Sequence, residues 1–279
     1  MPDATASIVI PTRGRPGYLE VTLASVAPQA TQAGAELLVV DDGGGDGATA
    51  AVVARHGARL ITTAGRHGAN AARNLGIAES VGDPVIFLDD DVRAPAGWLA
   101  ALLAGIAATP GPEVFGGPIR AAIEPSPHSC GREGPPITAL DLGRGDRDAE
   151  FVWSANMAIR RAALDRVGRF DETIHGRGEE EEWERRYAAG GGRIRYLAAP
   201  GIEHRRVGSD ARLSALSRAA YALGRTARRY DVRKGTAPPP VAELRTLAAS
   251  LAHAVRFRCP NMIPGAAHAA GRLREALGR

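Results

Sequence analysis

Short apolar runs alternate with segments of helical periodicity in the first 110 residues of this 279-residue chain. Strands are predicted at 7–10, 36–40, 59–62 and 85–88. Four helices are predicted: one that begins at Pro16, a second that ends at about His56, and two more at 70–81 and around 98–106. This alternation implies right-handed crossovers and a mainly parallel sheet with helices on its faces. The sequence therefore predicts an α/β fold.

Three loops with unusual polar residues, at 11–15, 41–47 and 89–95, each follow a predicted strand. Parallel strands end at one edge of a sheet, and ligands of open α/β folds bind at that edge. We therefore expect the three loops to form one site.

The pattern changes after residue 110. Strands are predicted at 114–117, 119–123, 151–160 and 194–197, and helices at 161–167 and 179–189. The stretch 124–150 is rich in proline, glycine and charge, and we expect it to be a mobile loop over the site. Helical spacing returns after residue 207, so we predict a main domain at 1–207 and a basic helical extension at 208–279.

The composition favours a cytoplasmic enzyme. Cys130 and Cys259 are far apart in the sequence and belong to no CxxC motif, so neither disulfides nor a zinc site is predicted. No apolar stretch approaches the roughly 20 residues that span a bilayer.

Charge is distributed unevenly, with a balance of +11 in residues 205–279 against −7 in the rest. An acidic body with a basic tail does not fit a dedicated nucleic-acid binder. Two interpretations of the tail stay open. Arg218, Arg225, Arg228 and Arg229 could contact an anionic membrane on its inner face, or the helix could be solvated or form a homodimer contact.

Asp89, Asp90 and Asp91 directly follow the apolar strand at 85–88. Adjacent carboxylates repel one another unless a cation or solvent relieves them. Magnesium or manganese accepts one or two such carboxylates and completes its coordination with phosphate oxygens and water. The triplet therefore indicates a metal site, and a solvated strand end is the alternative.

Other acidic residues are weaker signals on their own. Asp41 and Asp42 precede a glycine-rich loop, where a carboxylate can accept the imino N–H of a base or simply form a turn. In the run from Glu179 to Glu182, helical geometry places Glu179 and Glu182 on nearly one face, so at most two of the four enter one cleft. His204 follows the last predicted strand.

Taken together and in order, seven segments of residues 5–207 resemble glycosyltransferase family 2 of the GT-A fold. They are 8–13 (IVIPTR), 39–43 (VVDDG), 69–74 (ANAARN), 87–91 (FLDDD), 153–160 (WSANMAIR), 168–172 (GRFDE) and 178–180 (GEE). The resemblance implies a Rossmann-like sandwich, with a nucleotide-sugar-binding half at 1–110 and an acceptor-binding half at 111–207.

The resemblance also implies roles for individual residues. The residues expected to bind the nucleotide-sugar are Pro11, Thr12, Arg13, Asp42, Arg73, Asp89 and Asp90. Among them, Asp89 is expected to contact the ribose and Asp90 to have a supporting role. Asp91 and His204 are the expected ligands of Mn²⁺ or Mg²⁺. Glu180 matches the general base, although the family pattern most often has Asp there, so Glu179 stays an alternative. We assign the acceptor to Trp153, Asn156, Glu182 and Trp183.

The implied activity is an inverting transfer of a hexosyl or deoxyhexosyl group from a UDP-, GDP- or dTDP-linked donor to an acceptor hydroxyl. Cell-surface polysaccharide, glycolipid and natural-product glycosylation are the expected settings. A sugar nucleotidyltransferase and a non-catalytic nucleotide-sugar-binding protein of the same fold are the alternatives.

Overall fold

A computed structural model describes residues 4–45, 47–125 and 130–278. The strands of the described residues are β1 (Ser7–Thr12), β2 (Glu36–Asp41), β3 (Arg59–Thr62), β4 (Val85–Leu88), β5 (Val92–Arg93), β6 (Val114–Gly116), β7 (Ile119–Glu124), β8 (Arg147–Ala149), β9 (Asn156–Ile159), β10 (Ile194–Tyr196) and β11 (Ile202–Val207). The helices are α1 (Pro16–Ala33), α2 (Gly47–Arg55), α3 (Ala69–Glu79), α4 (Trp98–Ala108), α5 (Arg161–Val167), α6 (Glu179–Ala189), α7 (Leu213–Lys234), α8 (Pro240–Arg256) and α9 (Met262–Ala276).

The central sheet has the strand order β3-β2-β1-β4-β9-β6-β10-β8. β3, β2, β1 and β4 run parallel, β9 is antiparallel to both of its neighbours, and β10 is parallel to β6. The predicted α/β fold with a mostly parallel sheet is therefore confirmed. β1, β2 and β4 end at the same edge, which brings their following loops together.

The β4 strand is apolar throughout because both of its faces are covered. Ile86 and Leu88 join the core cluster that includes residues of α1 and α4. Val85 and Phe87 join the other cluster, which contains Phe170 and Trp183. Alternate residues of a strand point to opposite faces, so a strand covered on both sides has no polar position.

Two predictions about the second half were wrong. His204 does not follow the last strand but lies within β11, where it pairs opposite Val92 of β5. Three of the six residues of β11 (IEHRRV) are charged, so this strand contains no apolar run that could be recognised. The stretch 124–150 contains β8 and an isolated bridge between Leu140 and Ile119, and so is not one continuous loop. Residues 126–129 of that stretch lie outside the described residues.

The chain divides into two compact units. The first holds the described residues of Met1–Arg120, Ala139–Thr173 and Glu179–His204, and the second holds those of Ala121–Thr138, Ile174–Gly178 and Arg205–Arg279. The functional boundary between 207 and 208 stays a prediction.

Within the second unit, α7 and α9 pack backbone against backbone. A Cβ atom on Gly224 would lie 2.1 Å from the carbonyl oxygen of His268, and one on Gly271 would lie 2.2 Å from that of Tyr221. The contact therefore requires glycine at both positions.

Three of the four tail arginines form ion pairs from α7 to α8 or α9. Arg225 and Arg229 bind Glu275, and Arg228 contacts Glu243. Their charge is therefore partly neutralised within the second unit. Among the described residues, no helix has the length and apolar character needed to cross a bilayer.

Candidate active site

The aspartate triplet occupies the short connection between β4 and β5. Asp90 and Asp91 are buried, and Asp89 is half-buried. The hydroxyl of Thr22, on α1, donates within 2.8 Å of the carbonyl oxygens of Asp90 and Val92. The connection is thus fixed from the neighbouring helix.

Asp90 faces the loop that follows β1. Its carboxylate accepts a 2.7 Å hydrogen bond from the Thr12 hydroxyl and pairs with the Arg15 guanidinium. Burial raises the pKa of Asp90 to about 6, although the charge of Arg15 opposes this rise. Through these contacts Asp90 joins the first loop to the triplet, and its supporting role stays a prediction.

Arg15 was not among the predicted site residues. It also contacts Asp91, with 2.8 Å between its Nη1 and Asp91 Oδ2. Arg15 and the predicted Arg13 are both exposed. The available signal was Pro16, which starts α1 and so holds the preceding residue close to the strand end.

Asp89, Asp91 and His204 form a compact group of possible metal ligands. The Nε2 atom of His204 lies 3.0 Å from Asp91 Oδ1. Each of the three residues offers a ligand atom, and these atoms lie within 4.8 Å of one another. The pairing of β5 with β11 creates the group, because it places His204 opposite Val92 and therefore beside Asp91.

The donor set suits a divalent cation of the predicted kind. Two carboxylates provide hard oxygen ligands that suit Mn²⁺ and Mg²⁺, and the imidazole nitrogen favours Mn²⁺, the softer of the two ions. Burial, followed by the neighbouring charge of Asp91, raises the pKa of Asp89. A bound cation would relieve that repulsion.

Asp41 and Asp42 have different surroundings. Asp42 accepts hydrogen bonds from the backbone N–H groups of His67, at 2.8 Å, and Gly68, at 2.9 Å, where the chain enters α3. Asp41 accepts one from Gly43 N through Oδ1. Its Oδ2 atom is buried and has no hydrogen-bond partner among the described residues. Asp42 therefore positions α3, and Asp41 keeps an unused acceptor.

A second acidic group forms at the start of α6. Glu179 Oε2 lies 3.1 Å from Arg73 Nη1, and Arg73 Nη2 donates to the Ser154 hydroxyl at 2.7 Å. The backbone N–H of Ser154 in turn donates to Glu180 Oε1 at 3.2 Å. Burial raises the pKa of Glu180, and the charge of Arg73 partly opposes this.

The pairing of glutamates predicted from helical spacing was wrong. Glu179 and Glu180 share the cleft beside Arg73, whereas both oxygens of Glu182 bind Arg186, one turn further along α6. Long side chains in a first helical turn can converge on one partner. The local contact with Arg186 therefore decides where Glu182 points.

Arg73 interacts with both acidic groups. Its guanidinium acts electrostatically on Asp89 and on Glu180, and both carboxylates in turn stabilise its charge. Arg73 is almost fully buried, so these interactions are weakly screened. One cation thus connects the possible metal ligands with the candidate base.

The predicted acceptor residues differ in accessibility. Trp153 is half-buried. Asn156 is buried, and its amide binds Trp98 Nε1 and the carbonyl oxygens of Pro118 and Pro200. Trp183 is fully buried and donates from Nε1 to Gly168 O at 2.7 Å. An acceptor cannot touch the Trp183 ring in this conformation.

Glu184 was not singled out from the sequence. It is completely buried, one turn after Glu180 on α6, and accepts a 2.9 Å hydrogen bond from Val152 N. Burial raises the pKa of Glu184 well above its ordinary value, so the protonated form is favoured more than in a solvated glutamate. Glu180 and Glu184 together fasten α6 to residues 152–154.

Comparison with known proteins agrees with the fold. A crystal structure of S. aureus TarS superposes with a TM-score of 0.54, covering 79% of this chain and 39% of that one at 16% identity. This likeness concerns the fold alone, which is the GT-A fold of glycosyltransferases.

The family profile described as Glycosyl transferase family 2 matches residues 7–168, and the chain belongs to this family. Two proteins named Pre-mycofactocin glycosyltransferase, from Mycobacterium tuberculosis strains CDC 1551 / Oshkosh and ATCC 25618 / H37Rv, are 31% identical to it over 216 residues. The match covers 71% of this chain and 43% of each relative. The chain thus spans less than half the length of these relatives.

Proposed function

We propose that this protein is a metal-dependent, inverting glycosyltransferase that moves a sugar from a nucleoside-diphosphate donor to an acceptor hydroxyl. The observation that carries the proposal is the compact Asp89–Asp91–His204 group, together with Arg73, which contacts Glu179 and Ser154 and interacts with both Asp89 and Glu180. All of these residues belong to the first compact unit.

Asp91 and His204, with Asp89 beside them, are proposed to hold Mn²⁺ or Mg²⁺. The bound cation would neutralise charge that develops on the diphosphate leaving group. Arg73 is proposed to stabilise the same charge. Asp89 is the less buried of the two carboxylates, which agrees with its proposed contact with the ribose.

The base of the donor is proposed to lie against Pro11, Thr12, Arg13 and the Asp41–Asp42 loop. An imino N–H of uracil, thymine or guanine requires an acceptor atom, and Asp41 has one unused. We therefore extend the predicted contact at Asp42 to its neighbour, with Asp42 holding the loop through His67 and Gly68.

Glu180 is proposed as the general base rather than Glu179. The carboxylate of Glu179 is engaged in an ion pair with Arg73. Glu180 has a pKa raised by burial, as expected of a base that works near neutral pH. Removal of the acceptor proton as the hydroxyl attacks the anomeric carbon from the face opposite the diphosphate gives inversion.

The acceptor is proposed to enter beside Trp153, with a hexose or deoxyhexose as the transferred sugar. The name of the two relatives makes pre-mycofactocin the first acceptor to test. The chain spans less than half of those proteins, so their acceptor is only a proposal for this chain. Peripheral membrane attachment and homodimer formation are separate proposals.

A thermal-shift screen of UDP-, GDP- and dTDP-sugars with Mn²⁺, followed by a donor-hydrolysis assay, tests the proposal. One donor should stabilise the chain only when Mn²⁺ is present, and it should be hydrolysed slowly without an acceptor. Stabilisation without hydrolysis or transfer would favour a non-catalytic binding protein. No stabilisation by any donor would refute the proposal.

A further inference from the structure

A second group of metal-ligating side chains lies in the second compact unit, apart from the residues assigned above. Cys130, Glu133, His253 and Cys259 each offer one ligand atom, and these four atoms lie within 4.8 Å of one another. The Sγ atom of Cys130 is 2.9 Å from Glu133 Oε2 and 3.1 Å from His253 Nε2. We propose that these residues form a structural Zn²⁺ site.

The donor chemistry favours zinc over the hard cations. Two sulfurs, one imidazole nitrogen and one carboxylate oxygen supply four protein ligands, the number found in closed tetrahedral zinc sites. Magnesium and calcium prefer all-oxygen shells, and thiolate ligands select softer ions. Zn–S bonds of about 2.3 Å and Zn–N bonds of about 2.0 Å place tetrahedral ligand atoms roughly 3.5 Å apart. The 2.9 and 3.1 Å spacings at Cys130 Sγ need to open only slightly to accept the ion.

The backbone beside each cysteine has an unusual conformation. Arg258, directly before Cys259, has φ of 46°, and it is the only residue other than glycine with positive φ among the described ranges. Gly131, directly after Cys130, has φ of 73°. A left-handed conformation is costly for a residue with a side chain, so the turn at Arg258 needs a compensating interaction.

The turn holds Cys259 in place through its backbone. The Cys259 N–H donates to Ala254 O at 3.0 Å, and the Cys259 carbonyl accepts from Met262 N at 3.1 Å. Cys259 is buried and so points inward between the end of α8 and the start of α9. A thiol in this position has a defined direction before any ion arrives.

Aromatic and charged neighbours complete the surroundings. The ring of His253 packs edge-on against Phe257, with centroids 4.8 Å apart, which limits its rotation. The guanidinium groups of Arg132 and Arg256 lie 4.4 and 5.6 Å from the Phe257 centroid. Zn²⁺ with two thiolates and one carboxylate carries one net negative charge, and these arginines offset it.

The consequence of the site is a connection between distant parts of the sequence. It would fasten the segment that follows β7 to the corner between α8 and α9, closing a loop of more than one hundred residues. Such a cross-link constrains the unfolded chain strongly, and binding of the ion contributes directly to folding. This role is independent of the proposed sugar transfer.

Zinc content of the full-length chain tests the proposal. The wild type, dialysed under reducing conditions after exposure to Zn²⁺, is expected to retain about one ion per chain, as a structural site does. Cys259→Ser and His253→Asn are each expected to retain less than about a tenth of that amount. His175→Asn, which changes an exposed histidine of the same unit, is the matched control and should match the wild type.

Two further measurements keep the test decisive if the buried Cys259 variant does not fold. Cys130→Ser changes a half-buried position, and it should also lose zinc. Co²⁺ should give thiolate charge-transfer absorption and tetrahedral visible bands in the wild type and in His204→Asn, but not in Cys130→Ser. Wild-type chain without zinc, zinc retention by both cysteine variants, or a Cys130–Cys259 disulfide in freshly purified protein would overturn the proposal.

Discussion

The two groups of metal-ligating residues differ in the kind of ion that they suit. Asp89, Asp91 and His204 offer hard oxygen atoms and one imidazole at the edge of the sheet. The other group, in the second unit, offers two sulfurs among four protein ligands. Three ligands leave positions for a substrate phosphate, whereas four close the shell. The number of protein ligands therefore suits the first group to a catalytic ion and the second group to a structural ion.

The largest effect is expected from removing a ligand of the first group. Asp91→Asn should lower kcat/KM for sugar transfer by about 10³-fold, because the charge on the leaving diphosphate is no longer neutralised. Zinc content should stay unchanged. Initial rates over a Mn²⁺ titration, with the exposed Asp165→Asn as control, check this. A variant with wild-type rate and Mn²⁺ dependence would remove Asp91 from the metal site.

The next effect concerns the base beside this site. Glu180→Gln should lower kcat by roughly 10²- to 10⁴-fold while donor binding is kept, since only proton removal is lost. Glu182→Gln, on the same helix but paired with Arg186, is the control. If Glu179→Gln alone showed this pattern, the assignments of the two neighbouring glutamates would be exchanged.

The pH dependence of transfer sharpens the same assignment. The base must be ionised, so kcat should fall as pH decreases through the pKa of Glu180. Burial raises that pKa, and the acid limb should therefore have its midpoint above the ordinary value of 4.5. A donor-saturated pH profile measures it. An acid limb at or below 4.5 would contradict the proposed surroundings of Glu180.

Removal of the second ion should affect stability rather than catalysis. A zinc chelator should lower the thermal unfolding midpoint of the wild type by roughly 5–10 °C, as expected when a ligand at about 100 times its Kd is withdrawn. Cys130→Ser should show no further decrease with chelator. Differential scanning calorimetry measures both. An equal chelator effect on wild type and variant would place the stabilising ion elsewhere.

The smallest effect is expected at Glu184. Its folded-state pKa is raised, so ionisation is favoured in the unfolded chain, and the wild type loses stability as pH rises above about 4.5. Glu184→Gln cannot ionise and should become more stable relative to the wild type over that range. Urea unfolding midpoints at several pH values measure the difference, and a difference independent of pH would contradict burial of an acid here.

The placement of the first group at one edge of the sheet was largely predictable from the sequence, because most of its residues follow apolar strands of known direction. The apolar strand Val85–Leu88 indicated where the triplet lies, and β1 and β2 indicated the position of the loops beside it. The strand that holds His204 was missed because β11 has no apolar run. Arg15 was missed because its role depends on how α1 starts, and Glu184 because burial cannot be read from one glutamate in an acidic helix.

The second group could not be predicted in this way. Cys130 and His253 are separated by most of a domain in the sequence, and no short motif joins them. Their approach depends on the packing of α7, α8 and α9 and on the turn at Arg258. Sequence spacing can reveal a metal site when its ligands are close together in the sequence. Ligands that are far apart in the sequence are brought together only by tertiary packing.

Calorimetric titration of UDP, GDP and dTDP into the wild type and Asp91→Asn, with and without Mn²⁺, tests the central claim most directly. We expect one nucleotide to bind the wild type at least about tenfold more tightly with Mn²⁺, and Asp91→Asn to lose this enhancement while keeping its zinc. Equal affinity with and without Mn²⁺, or the same enhancement in Asp91→Asn, would contradict a metal-dependent nucleotide-sugar site at this edge of the sheet.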